Sequence, residues 1–214
     1  MQPILVTGGA GFIGAHTCKA LAAHGLYPIA FDNLSRGHRE MVQWGPFVQG
    51  DILQPADLDR VFKQYRPESV IHFAALAYVG ESVAQPLAYY HNNVSGLIVL
   101  DAMVRHGADT IVFSSTCAIY GTPDTLPLPE NARQQLISLS ERSELMCEQI
   151  LMHAAAAHHL RIALLRYLNA CGADPNGQPI TACDGHDSPR LIDERVPSVG
   201  AMIDDVVEGF EDTI

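Results

Sequence analysis

The first fourteen residues constrain the fold more than any other part of the chain. Ile4-Leu5-Val6 is a short buried-strand run, Thr7-Gly8-Gly9-Ala10-Gly11 is a glycine-rich turn, and an apolar-periodic stretch from Phe12 to Leu21 follows at once. The glycines read as Gly8-x-x-Gly11-x-x-Gly14, or from Gly9 as GxGxxG. A tight turn needs a residue without a Cβ, and close approach of backbone to a pyrophosphate needs the same. The helix that starts there presents free N–H groups and the positive end of its dipole to phosphates. A glycine pattern alone is a weak signal. It gains weight from the strand before it and from Asp32, which ends the next strand candidate 18 residues after Gly14. A carboxylate there accepts hydrogen bonds from the hydroxyls of an adenosine ribose and repels a 2′-phosphate, which favours NAD over NADP. Arg36, close by, leaves that choice open.

Further strand candidates are Tyr27 to Phe31, Phe47 to Val48, Val70 to Phe73, Thr110 to Phe113 and Ile162 to Leu165. Between them lie segments apolar at three- and four-residue spacing: Pro55 to Tyr65, about Leu87 to His106, and Arg142 to His158. Strands that are apolar throughout, separated by helices, indicate a parallel sheet covered on both faces, the doubly wound α/β architecture. The stretch Gly121 to Pro129 reads as a loop, Asp174-Pro175-Asn176-Gly177 as a turn, and Val199 to Phe210 as a short helix.

The chain carries 13 Lys/Arg against 24 Asp/Glu, a net charge of −11, unevenly placed. Residues 1–173 hold 11 basic and 14 acidic residues, whereas residues 174–214 hold 2 and 10. With no basic cluster to displace counterions or pair with head groups, neither a nucleic acid nor an anionic membrane is an expected partner. No apolar run approaches the roughly 18 residues of a membrane span and no basic leader precedes the first strand, so the cytoplasm is the expected location. Cys18, Cys117, Cys147, Cys171 and Cys183 are odd in number and lack a CxxC pair, which suits reduced thiols. His153, His158 and His159 do not share one helical face, so no metal site is expected.

Longer runs of residues resemble the extended short-chain dehydrogenase/reductase superfamily, and within it the UDP-glucose and UDP-arabinose 4-epimerases. They are Thr7 to Gly14, Phe31-Asp32-Asn33-Leu34, Gly50-Asp51-Ile52, His72 to Ser82, Tyr89-Tyr90-His91-Asn92-Asn93-Val94, Phe113 to Gly121 and Leu165-Arg166-Tyr167-Leu168-Asn169. The resemblance implies a Rossmann-like fold with bound NAD. It places Gly8, Gly11, Phe12, Ile13 and Gly14 at the pyrophosphate, and Asp32, Asn33, Leu34, Ser35, Arg36 and Gly37 around the adenosine ribose. It sets Asp51 and Ile52 beside the adenine, and Phe73, Ala74, Ala75, Leu76, Ala77 and Asn92 along the cofactor. Thr116 takes the place of the hydroxyl residue that holds the sugar. Helices around Leu97 to Val104 and Leu145 to Ala157 are those through which such epimerases form homodimers.

The reaction implied is inversion at C4 of a UDP-sugar, with proton removal by the Tyr of a Tyr-x-x-x-Lys motif. That motif is absent. The chain has two lysines, Lys19 and Lys63, and neither follows a tyrosine by four residues. Alignment on the family places Ser140 at the tyrosine position and Glu144 at the lysine position. A serine hydroxyl is a far weaker base than a phenol, and a carboxylate disfavours an alkoxide beside it. Loss of the positioned base alone lowers the rate roughly 10²- to 10⁴-fold. The likeness fades after about residue 177, and the family's uridine- and sugar-binding domain needs on the order of 100 further residues. The expectation is therefore an NAD-binding domain over residues 1–173 and an acidic remnant of a largely missing substrate domain over 174–214. Binding of a UDP-sugar is expected to be weak or lost, and catalysis impaired or absent; the rival expectation is a non-catalytic NAD-binding or dimerising protein.

Overall fold

The structure is a computed structural model that describes residues 2–122, 127–136 and 139–167. Six parallel strands form one sheet: β1 (Pro3–Thr7), β2 (Tyr27–Asp32), β3 (Phe47–Gln49), β4 (Ser69–His72), β5 (Thr110–Thr116) and β6 (Arg161–Tyr167). Their order is β3-β2-β1-β4-β5-β6. The chain winds outward from β1 to β3, then crosses back to β4 on the other side of β1. That reversal opens a crevice at the carboxyl ends of β1 and β4, where open α/β sheets bind ligands. The register puts Thr7 opposite both Phe31 and His72, so three strand ends meet at one level.

Alternation along β1 explains why its sequence is apolar throughout. Ile4 and Val6 pack with Cys18 and Leu21 of helix α1 (Phe12–Ala23). Leu5 points to the opposite face, into a larger cluster with α2 (Pro55–Tyr65), α5 (Ile98–His106) and α6 (Leu139–His158), through Leu58, Phe62, Met103 and Leu151. Each face of the sheet is thus buried by helices, as a parallel sheet requires. Helix α2 spans the residues its periodicity predicts, with Pro55 at the start, where its missing N–H is harmless, and Arg66 in the left-handed region (φ 49) closing the end.

The stretch from about Leu87 to His106 departs from the single helix expected. A short α3 (Val79–Ala84) and α4 (Pro86–Tyr89) lead into a π-turn over Tyr90–Val94, a 3-10 turn over Ser95–Leu97, and only then α5. The cause is a side chain turned inward. The Asn93 side chain accepts from Leu76 N–H (2.9 Å), donates to the Leu76 carbonyl (3.1 Å) and donates to Ser143 Oγ (3.3 Å). The wider turn lets the helix accommodate these long-range bonds. Gly96 then passes Ile52, whose Cδ1 would lie 2.6 Å from any Cβ at that position.

Asn169, the turn at Asp174 to Gly177, the helix expected at Val199 to Phe210, Cys171, Cys183 and the acidic segment lie outside the described residues, as does the side chain of Ser140. No helix among the described residues is long and apolar enough to cross a membrane, and no group of three His, Cys, Asp or Glu side chains gathers there to hold a metal.

Candidate functional site

The glycines of the first turn have separate tasks. Gly8 sits at φ +71, and a Cβ there would come within 2.9 Å of Ala74 N on the neighbouring strand end. A Cβ on Gly9 would meet Ala30 and the Val6 carbonyl at 2.8 Å, and one on Gly14 would meet the Gly8 carbonyl oxygen at 2.2 Å. These three positions let turn, helix and sheet close on one another. Gly11 is different: it faces the crevice and precedes α1 as an extended residue with no side-chain cap. The first turn of α1 holds no acidic residue, so its N–H groups present an unneutralised positive end.

Asp32 ends β2 on the floor of the same cleft. Its Oδ2 accepts from Ala10 N–H at 3.1 Å and its Oδ1 from Leu34 N–H at 2.8 Å. Leu34 adopts φ 63, an unfavourable conformation for a residue with a side chain, and the bond to Asp32 helps hold it there. Burial pushes the Asp32 carboxyl up from its ordinary range, opposed by those two backbone donors and by the charge of His38. Each carboxylate oxygen keeps lone-pair capacity for a further donor. Asn33 donates from Nδ2 to Asp51 Oδ2 at 3.2 Å and accepts from Ser35 N–H at 2.9 Å, which ties the loop after β2 to the loop after β3.

The cleft brings together fourteen of the residues expected from the sequence: Gly8, Gly11, Phe12, Asp32, Asn33, Ser35, Arg36, Gly37, Ile52, Phe73, Ala74, Ala75, Leu76 and Asn92. Ile13, Gly14, Leu34, Asp51 and Ala77 stand behind or beside that surface. Asp51 turns its Oδ1 to Leu53 N–H at 2.8 Å, and Ala77 is exposed beyond the cleft-lining Leu76. Ala10, Phe31, His38, Met41, Gly50 and Tyr78 also line the cleft and were not singled out from the sequence. A Cβ on Gly50 would strike the Phe31 ring at 2.5 Å, so the two positions fit one another across β2 and the end of β3. Asn92 reaches the cleft from the π-turn, and its Oδ1 is buried with no hydrogen-bond partner.

The other end of the sheet is built from side-chain chemistry. Thr116 ends β5 and its Oγ1 accepts from Ala118 N–H at 3.1 Å, capping the 3-10 turn Cys117–Tyr120. Ser114 hydrogen-bonds the Tyr167 hydroxyl, and burial pushes that phenol up to about 12. Beside them the fully buried Glu148 accepts from Ser115 Oγ and from two nitrogens of Arg166, at 2.9 and 2.6 Å. Arg166 also donates to the Tyr120 hydroxyl at 2.6 Å, and that hydroxyl donates to the Glu130 carbonyl at 2.7 Å. Glu144, one helical turn before Glu148, has a buried Oε2 without a partner. Burial first, then the charges of Glu148 and Glu141, push its carboxyl up to about 7. Beneath the cleft His72 is fully enclosed, bonded to Thr7 at 2.9 Å, and burial lowers it to about 4, so its imidazole is neutral.

The arrangement suits a long ligand with an anion at the α1 N-terminus, a diol at Asp32 and a hydrogen-bond donor at Asn92. Comparisons with known proteins agree with that geometry. The model of the NAD dependent epimerase/dehydratase family matches residues 4–194. A UDP-glucose 4-epimerase of Rhizobium meliloti (strain 1021) is 49% identical over 176 residues, 82% of this chain and 54% of that protein. UDP-arabinose 4-epimerase 1 of Arabidopsis thaliana is 38% identical over 186 residues, 82% of this chain and 44% of that protein. The crystal structure of UDP-glucose 4-epimerase from Brucella ovis in complex with NAD superposes with a TM-score of 0.81 at 49% identity, covering 83% of this chain and 55% of that one. The chain therefore spans about half the length of the curated relatives it matches, and it belongs to the NAD dependent epimerase/dehydratase family.

Proposed function

We propose that residues 1–173 bind NAD in the cleft between β1, β2 and β4, and that the chain is a UDP-glucose 4-epimerase-like protein with impaired proton transfer. The observation that carries the cofactor reading is the cradle itself. Gly8, Gly9 and Gly14 close with no room for a Cβ, Gly11 opens to the cleft, and a buried acid stands where a ribose diol would lie. The residues present fit the group: Gly11, Phe12 and the N-terminus of α1 would take the pyrophosphate, and Asp32 with the loop to Gly37 the adenosine ribose. Ile52 and Asp51 would border the adenine, and Phe73 to Leu76 and Asn92 the remainder, the Asn92 Oδ1 gaining the donor it lacks. When bound, NAD supplies a reversible hydride acceptor for C4 of a UDP-linked sugar.

What the chain's own residues contribute to that reaction is unequal. Thr116 at the end of β5 holds a sugar hydroxyl. Proton removal from that hydroxyl falls to the region of α6 where Ser140 and Glu144 stand. Near neutral pH a serine hydroxyl keeps its proton, and Glu144 either holds its own proton or places negative charge beside the forming alkoxide. Either state lowers turnover, roughly 10²- to 10⁴-fold for the lost base alone. The buried carboxyl favours the second reading too, a non-catalytic NAD-binding protein, and the acidic segment 174–214 is poor company for a UDP diphosphate. Val104 on α5 with Met146 and Met152 on α6 are exposed apolar residues that support pairing of two copies through these helices.

Incubation of the purified chain with NAD and UDP-galactose, assayed for UDP-glucose, tests the reading. The expected rate is at least about a hundredfold below that of a typical enzyme of 10 per second. Turnover near 10 per second contradicts impaired proton transfer. A UDP-arabinose substrate in the same assay decides between the two sugar classes named among the relatives.

A further inference from the structure

The loop after β2 carries Arg36, the single arginine or lysine among the described residues lining the cleft. This loop doubles back on Asp32 so closely that a Cβ on Gly37 would come within 2.9 Å of both carboxylate oxygens. A cation beside the ribose-facing acid is the feature that lets dinucleotide-binding folds accept a 2′-phosphate. Here it is engaged elsewhere. Nη2 of Arg36 donates to Glu81 Oε1 at 2.7 Å and to Oε2 at 2.9 Å, and the guanidinium lies 5.1 Å from the centre of the Tyr78 ring. Glu81, on α3, is anchored in turn: its Oε2 lies 3.1 Å from the hydroxyl of Tyr89, a fully buried residue. That hydroxyl is also 2.8 Å from the Tyr78 carbonyl. Residues 45 positions apart are thereby strapped together across the mouth of the cleft.

We propose that this Arg36–Glu81 strap sets the cofactor preference, holding the arginine away from the ribose 2′ position so that the cleft takes NAD and turns away 2′-phosphorylated dinucleotides. The inference rests on the cofactor reading above and names its selectivity. A 2′-phosphate could recruit Arg36 only by drawing it from Glu81. That carboxylate would then lose its cation while a second acid, Asp32, faces the incoming dianion. Discrimination therefore comes from an attraction withheld as much as from repulsion. The free diol of NAD needs neither change, since Asp32 has acceptor capacity to spare.

Binding of NAD and of NADP to the purified chain by calorimetric titration tests this, with Glu81→Gln, Arg36→Gln and the double variant beside the wild type. Wild-type protein is expected to bind NAD in preference to NADP. Glu81→Gln is expected to shift the ratio toward NADP by about tenfold, the size of one charge-assisted contact regained, and Arg36→Gln in the same chain is expected to erase that shift. A shift that persists in the double variant contradicts release of Arg36, because the lost field of Glu81 alone would then account for it. An unchanged ratio in Glu81→Gln also overturns the proposal. Should Glu81→Gln fail to fold, Arg36→Gln alone decides, as it leaves the Glu81–Tyr89 contact in place. Unchanged weak NADP binding supports the strap, and a further loss of NADP binding shows that Arg36 already reached the phosphate and overturns it. A wild-type chain that binds neither nucleotide overturns the cofactor reading, whereas one that binds NAD with an unresponsive ratio overturns this inference alone.

Discussion

The two ends of the sheet's carboxyl edge are built on different principles. At β1 and β2 the site is made of backbone: glycines that admit no Cβ, an uncapped helix start, and one carboxylate whose oxygens are set by the Ala10 and Leu34 N–H groups. At β5, β6 and α6 it is made of side chains, and two of them are acids with buried oxygens: Glu148, clamped by Arg166, and Glu144, whose Oε2 is unpartnered. A backbone site keeps its chemistry as long as the turn closes. A side-chain site changes its chemistry with each substitution, and the sequence keeps the glycine-rich turn and Asp32 while it contains no Tyr-x-x-x-Lys.

The largest expected effect breaks the acidic end. Arg166→Met leaves the fully buried Glu148 without its cation and strips Tyr120 of a donor. Removing one partner of such a pair destabilises by about 3 kcal/mol, the lower end of the usual range because the arginine is partly open to solvent. Urea unfolding measures it. A loss below about 1 kcal/mol would place this pair with ordinary surface ion pairs and remove the contrast between the two ends.

A second effect sharpens the comparison through pH. Glu144 is pushed up to about 7 in the folded chain, from an ordinary value of 4.5 that it regains in the unfolded chain. The folded state holds the proton more tightly, so the stability from this group is complete below about pH 4 and is lost as pH rises through 7. Glu144→Gln removes that loss. The variant is expected to be about 2 kcal/mol more stable than the parent at pH 8 and equal to it near pH 4. Equal gains at both pH values, read from paired urea curves, would contradict a proton held by burial.

The smallest effect belongs to the backbone end. Asp32→Asn keeps the shape and one acceptor oxygen but gives up the charge that a ribose diol meets. NAD affinity is expected to fall about tenfold, near 1.4 kcal/mol, together with a loss of stability of about 1 kcal/mol, because the asparagine Nδ2 faces one of the two backbone N–H groups that the carboxylate accepts from. A fall in stability without a fall in affinity would make Asp32 a structural residue of the loop and not a contact of the cofactor.

How far each end could be read from the sequence follows from the same difference. The tight turn was legible because glycine is a statement about backbone, and Gly8 stands at φ +71; the closure of Gly14 on the Gly8 carbonyl is a contact the spacing does not name. The strands were legible because both faces of the sheet are buried, and α2 because its apolar face and Pro55 mark it. The broken passage before α5 was not, since it depends on Asn93 bonding Leu76 and Ser143, residues 17 and 50 positions away. The clamp on Glu148 was hidden for the same reason, joining Ser115, Tyr120 and Arg166 from three segments. Arg36 was visible as an ambiguity about the 2′ position. Its ion pair with Glu81, 45 residues on, is a long-range contact no local pattern carries.

The central claim is that the backbone end still holds its cofactor while the side-chain end has changed its chemistry. Calorimetric titration of NAD into the purified chain, after denaturation of a sample to check by absorbance for NAD carried through purification, tests it most directly. The account predicts saturable binding of one NAD per chain, or a chain already carrying it. No NAD in the preparation and no heat on titration would contradict it.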